Sequence, residues 1–235
     1  MKQMKPNLSP SPICFRTPGR ALGVLLALLL GPASAWTQTT TFTFQGNVFQ
    51  SYTAPAAGWY LLDVMGAQGG PASNLSHQGG KGARVQGYAR LGAGDKLRIA
   101  VGGAGKQGTG DGNNVSGGGG GGGSSIMFGD AAANFPLVMA GGGGGGAANY
   151  DGSSGVISEW GGPQIADGSA NGGVNGQGGH IGADPYGGAG GAGYLTDGGT
   201  HYDGNTLLSW GGQAYRSGNS GGGSGQNGGN GGWGG

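Results

Sequence analysis

Hydrophobic and polar positions alternate most cleanly at residues 96–101. Leu97, Ile99 and Val101 fall on one face of an extended chain, and Lys96, Arg98 and Ala100 on the other. Upstream, residues 39–44 and 48–53 are rich in Thr, Phe, Val and Tyr and are separated by Gly46-Asn47. Residues 59–65 follow Pro55 and Gly58, and residues 84–91 set Val85, Tyr88 and Leu91 among small or polar neighbours. Residues 126–128 and 135–139 complete the set. Short strands at roughly 8–12-residue spacing predict an antiparallel sandwich or barrel rather than a parallel sheet. No amphipathic helical period follows residue 35.

Composition changes this picture in one respect. Of the 235 residues 66 are Gly, and each costs about 0.5–1 kcal/mol more than Ala inside regular structure. Ordinary helical or α/β domains are therefore excluded, and the irregular glycine spacing with scarce Pro excludes collagen. Residues 117–123 and 141–146 are pure glycine, and from Ala147 onward Gly, Asn, Ser, Gln and Asp dominate. These segments are either flexible linkers or extended threefold helices packed side by side. Seven residues at ~3.1 Å each span about 22 Å, close to a six-residue strand, so the lengths suit an ordered bundle. A side chain at Gly119 or Gly144 should then drive neighbouring segments apart.

The N-terminus reads as a signal peptide, residues 1–35. Lys2, Lys5, Arg16 and Arg20 precede an apolar stretch at residues 21–30, and Ala33-Ser34-Ala35 offers a cleavage site before Trp36. The apolar stretch is shorter than the ~20 residues that cross a bilayer, and no second one follows, so no membrane span is expected in the mature chain. The product is expected to be secreted or held at the cell surface. The single cysteine, Cys14, lies within the leader, which leaves the mature chain without disulfide or thiol chemistry. Ten acids and seven bases lie after residue 35, a net −3 with His neutral, which argues against a nucleic-acid partner.

Candidate chemistry is sparse. Gly218-Asn219-Ser220-Gly221-Gly222 fits the nucleophile-elbow pattern, but in a mature chain about one-third glycine such a match is expected by chance, and no strand–helix context surrounds it. Gly105-Lys106 and Gly80-Lys81 each lack both ends of a phosphate loop. His201 and Asp203 are spaced as ligands on one strand face, with no third ligand beside them, and His77 and His180 stand apart. Aspartates among small residues leave a weak calcium site open, without tandem calcium-binding repeats. No enzyme, cofactor or metal site is expected. Tyr186, Tyr194, Tyr202 and Trp210 recur at intervals of eight. They either pack on the fold or form an exposed aromatic row that grips a protein or glycan ligand, with Asn and Gln supplying hydrogen bonds.

The string Trp59-Tyr60-Leu61-Leu62-Asp63-Val64-Met65-Gly66-Ala67-Gln68-Gly69-Gly70 resembles the opening of the glycine-rich extracellular domain of the anaplastic lymphoma kinase and leukocyte tyrosine kinase type. Gly79–Gly82 and residues 97–103, 117–128 and 137–141 follow in that family's order, and the resemblance covers roughly residues 40–235. It implies a jelly-roll-like β-sandwich from which glycine-rich loops emerge as polyglycine helices, in a module that binds ligands outside the cell. Neither the H-R-D nor the D-F-G motif of a kinase occurs, so the resemblance concerns the ectodomain alone. The expected organisation is a β-sandwich core with glycine runs at 36–146 and a glycine-rich tail of the same domain at 147–235, without a closing strand. The expected function is a secreted or surface binding and adhesion module; the alternative is a structural spacer with no specific ligand.

Overall fold

Strand formation follows the β-branched and aromatic segments. The computed structural model describes residues 38–110, 115–130, 134–157, 177–178, 191–203, 206–215, 221–224 and 230–232. Its strands are β1 (Gln50–Thr53), β2 (Gly58–Met65), β3 (Arg84–Leu91), β4 (Lys96–Ala100), β5 (Ser124–Gly129), β6 (Asn134–Ala140), β7 (His201–Asp203), β8 (Thr206–Trp210) and β9 (Gly223–Ser224). All lie in the compact unit Thr41–Gly235. They form a four-stranded sheet in the order β1-β4-β5-β6, a β2–β3 ribbon and a three-stranded sheet β7-β8-β9, and every pair is antiparallel. The described part of the chain is thus all-β.

One expectation needs correcting. Residues 39–44 form no strand, although Phe42 packs edge-on against Tyr52 at 6.3 Å and Gln50 Nε2 donates to the Thr43 carbonyl. Their composition favours extended backbone, but a strand also needs a partner ladder. Conversely, strands β7–β9 fall in the tail, where the glycine background hid the short run Thr206–Trp210.

Both faces of the four-stranded sheet are covered. Alternation puts Leu97 of β4 with Ile126 and Phe128 of β5 on one side. There they join Ala54, Leu62 and Leu91 in the main apolar cluster, with Tyr52, Tyr60, Leu137 and Val138 packed against it. Leu62 and Leu91 come from the ribbon, so ribbon and sheet share one core. On the other side Ala100 and the fully buried Met127 pack with Tyr215, Phe49 and Tyr194. The Arg98 guanidinium lies 3.5 Å over the Phe49 ring, a cation–π contact on the same face. Pro136 is tolerated in β6 because that strand ends the sheet order and needs no outer ladder.

The glycine segments are ordered by bonds between segments that recur at every third residue. Gly66 and Gly69 donate to the carbonyls of Ala83 and Gly80, while Ala67 and Gly70 donate to Gly122 and Gly119. Gly118 and Gly121 donate to Gly146 and Gly143, which in turn donate to Gly70 and Ala67; these eight bonds measure 2.7–3.0 Å. A β-ladder repeats every two residues, so the step of three marks an extended threefold conformation. The two pure glycine runs therefore bond to each other, and the mixed segments around Gly66–Gly70 and Gly80–Ala83 join them. Gln68, Lys81 and Lys106 lie in these segments and are exposed, leaving their glycine neighbours to meet other chains.

Candidate binding face

The β2–β3 ribbon buries one face in the core and leaves the other bare. Along β2, Leu62 and Val64 are buried while Trp59, Leu61, Asp63 and Met65 point outward. The register sets Trp59 opposite Arg90, Leu61 opposite Tyr88, Asp63 opposite Gln86 and Met65 opposite Arg84. Trp59 is 71% exposed and Tyr88 73%, so these large rings are presented to solvent rather than clipped at a rim. Leu61 and Met65 are also exposed and extend the apolar surface between them.

Polar groups frame this surface. Arg84 grips Asp63 with two bonds, Nε to Oδ1 at 2.9 Å and an η-nitrogen to Oδ2 at 2.5 Å. The bonds from Arg84 hold the Asp63 carboxyl below its ordinary range, and the same pairing raises the guanidinium. The face can offer stacking surfaces, an aliphatic floor and fixed donors. Nothing in the alternation of residues 58–65 distinguished this face, because both sides carry apolar residues. At residues 84–91 the parity does separate them: Val85 and Leu91 point inward and Tyr88 outward.

The aromatics at intervals of eight are placed differently. Tyr186 lies outside the described residues. Tyr194 is half-buried and stacks on Tyr215 at 5.6 Å, within the cluster on the four-stranded sheet. Tyr202 on β7 and Trp210 on β8 are exposed. Tyr202 pairs with Leu207, and the register shift between His201 and Tyr202 breaks the simple alternation along β8 before Trp210. His77 pairs with Asp151 at 3.5 Å, which ties residue 77 to the segment that follows the second glycine run. Among the described residues no three His, Cys, Asp or Glu side chains converge as metal ligands, and no helix is long and apolar enough to cross a membrane. A cleft of about 310 Å³ is lined by Phe44, Asn47, Lys106 and glycine backbone, at the lower limit for small-molecule sites. No family model matches the chain, and no curated protein does.

Proposed function

We propose that this chain is an exported glycine-rich binding and adhesion module that acts through its surface without catalysis. Its β-sandwich and polyglycine helices would correspond to the ectodomain of the anaplastic lymphoma kinase type, carried here without a kinase. One observation carries the reading: the ribbon exposes Trp59, Leu61, Met65 and Tyr88 on one face, held by a core on the other. Trp, Tyr, Met and Arg are the residues that protein interfaces concentrate, and a rigid platform lowers the entropy lost on binding. Tyr202 and Trp210 are exposed as well. The test is capture of protein and glycan ligands by the purified chain, repeated with Trp59→Ala/Tyr88→Ala. The reading expects ligands that the double variant loses while its melting temperature is kept. A chain that retains no ligand, or whose ligands ignore both changes, is instead the spacer that the hydrogen-bonded glycine segments would also suit.

A further inference from the structure

The outer face of the β2–β3 ribbon carries four cross-strand pairs, Trp59/Arg90, Leu61/Tyr88, Asp63/Gln86 and Met65/Arg84, and all eight residues are exposed. Its charged groups are not equivalent. Asp63 accepts both bonds from Arg84, so that acid and that base cancel within the face. Arg90 makes no ion pair and no ring contact among the described residues. It is flanked by two exposed rings, Trp59 directly across the ribbon and Tyr88 two residues back on its own strand. Those two rings occupy diagonal positions of adjoining pairs, roughly 7–8 Å apart at the backbone. The face is also open, since Trp59, Leu61, Met65 and Tyr88 each keep more than half of their surface in water.

We propose that this face binds an extended polysaccharide bearing uronate carboxylates, with sugar rings laid on Trp59 and Tyr88 and a carboxylate held by Arg90. This rests on the reading of the ribbon as a binding face and names its ligand. A pyranose ring has an apolar C–H face and a rim of hydroxyls. Exposed aromatic rings bordered by Gln86 and the bonded Asp63–Arg84 pair match both parts. Charge complementarity selects the acidic sugar, because the one uncompensated charge on the face is positive. A guanidinium takes a carboxylate in two parallel bonds, and Arg90 has its fork free to do so. The openness of the face favours a sugar chain over a protein, whose anchoring side chains gain most from pockets that enclose them. An extended sugar chain needs no walls and can lie flat across both rings.

Titration calorimetry of the purified chain tests this with three probes: cello-oligosaccharides whose primary hydroxyls are oxidised to carboxylates, the same sugars unoxidised, and poly-glutamate. The oxidised sugar should bind about tenfold or more tightly than the neutral one. Poly-glutamate, which offers carboxylates without a ring face, should bind more weakly than the oxidised sugar. At 1 M salt, where charges act over only about 3 Å, the preference for the oxidised sugar should shrink. Arg90→Gln should bring the oxidised sugar down to the affinity of the neutral one. Trp59→Ala/Tyr88→Ala should weaken the oxidised sugar about tenfold or more, while Lys106→Gln, at an exposed cation of the glycine segments, should change nothing. All three variants should keep the wild-type melting temperature, since these side chains are exposed. Equal affinity for the two sugars, poly-glutamate binding as tightly as the oxidised sugar, or a preference that survives Arg90→Gln would each overturn the acidic-sugar assignment. A chain that ignores all three probes yet captures another ligand through Trp59 and Tyr88 overturns that assignment alone. Sugar binding indifferent to both rings removes the ribbon as a binding face as well.

Discussion

At Met127 and Leu91 burial is essentially complete, and each is surrounded by a different cluster. Truncating either to Ala leaves a cavity as well as lost apolar contact, so each should cost about 2–5 kcal/mol in chemical denaturation. Leu61→Ala, one residue from buried Leu62 in sequence, should cost far less, about 0.5 kcal/mol, because its side chain lies on the exposed face of the ribbon. Asp63 allows a test without unfolding. Its carboxyl is held low by Arg84, so what the pair contributes is present at neutral pH and lost only as pH falls through that lowered value. Its NMR titration midpoint should lie below the ordinary ~3.9, and Arg84→Gln should raise it; a midpoint that Arg84→Gln does not move would assign the shift elsewhere.

For the glycine segments, position within a run decides tolerance. A methyl group built on Gly121, Gly143 or Gly145 would lie closer than 3.0 Å to backbone of a neighbouring segment, whereas at Gly141 nothing lies within 4 Å. At Gly144 the nearest atom is Ser153 N at 3.3 Å, so this position is tight rather than closed. Gly121→Ala and Gly145→Ala should each lower stability by about 1–3 kcal/mol, with Gly144→Ala milder and Gly141→Ala nearly neutral. Equal melting temperatures for all four variants would mean that the bundle is not close-packed. The three-residue bonding pattern also predicts amide protection at Gly118, Gly119, Gly121, Gly122, Gly143, Gly144 and Gly146, read by hydrogen exchange.

Across the molecule, bundle and sheets are parts of one chain path. β2 runs directly into the segment beginning at Gly66, the 117–123 run leads into β5, and β6 leads into the 141–146 run. Loss of the bundle would release the ends of three core strands at once. Amides of the glycine runs and of β2, β4 and β5 should therefore lose protection at one common denaturant midpoint. A bundle that opens at clearly lower denaturant than the strands would establish it as an independently melting unit.

The sequence by itself determined the all-β character and six strand positions, because β-branched and aromatic runs bounded by Gly and Pro leave the backbone few other choices. It also determined that any order in the glycine runs must come from backbone bonds between segments, since glycine brings no side chain to pack. Which segments pair was decided by the tertiary structure. Gly121 and Gly141 are the same residue in similar runs, and only the neighbouring carbonyls make one closed and the other open. The binding face shows the same division. Trp59 carries as much apolar weight as buried Leu62 and Val64 in its own strand, so its exposure follows only from which side of the ribbon the four-stranded sheet covers, whereas parity along residues 84–91 already sets Tyr88 apart from Val85 and Leu91.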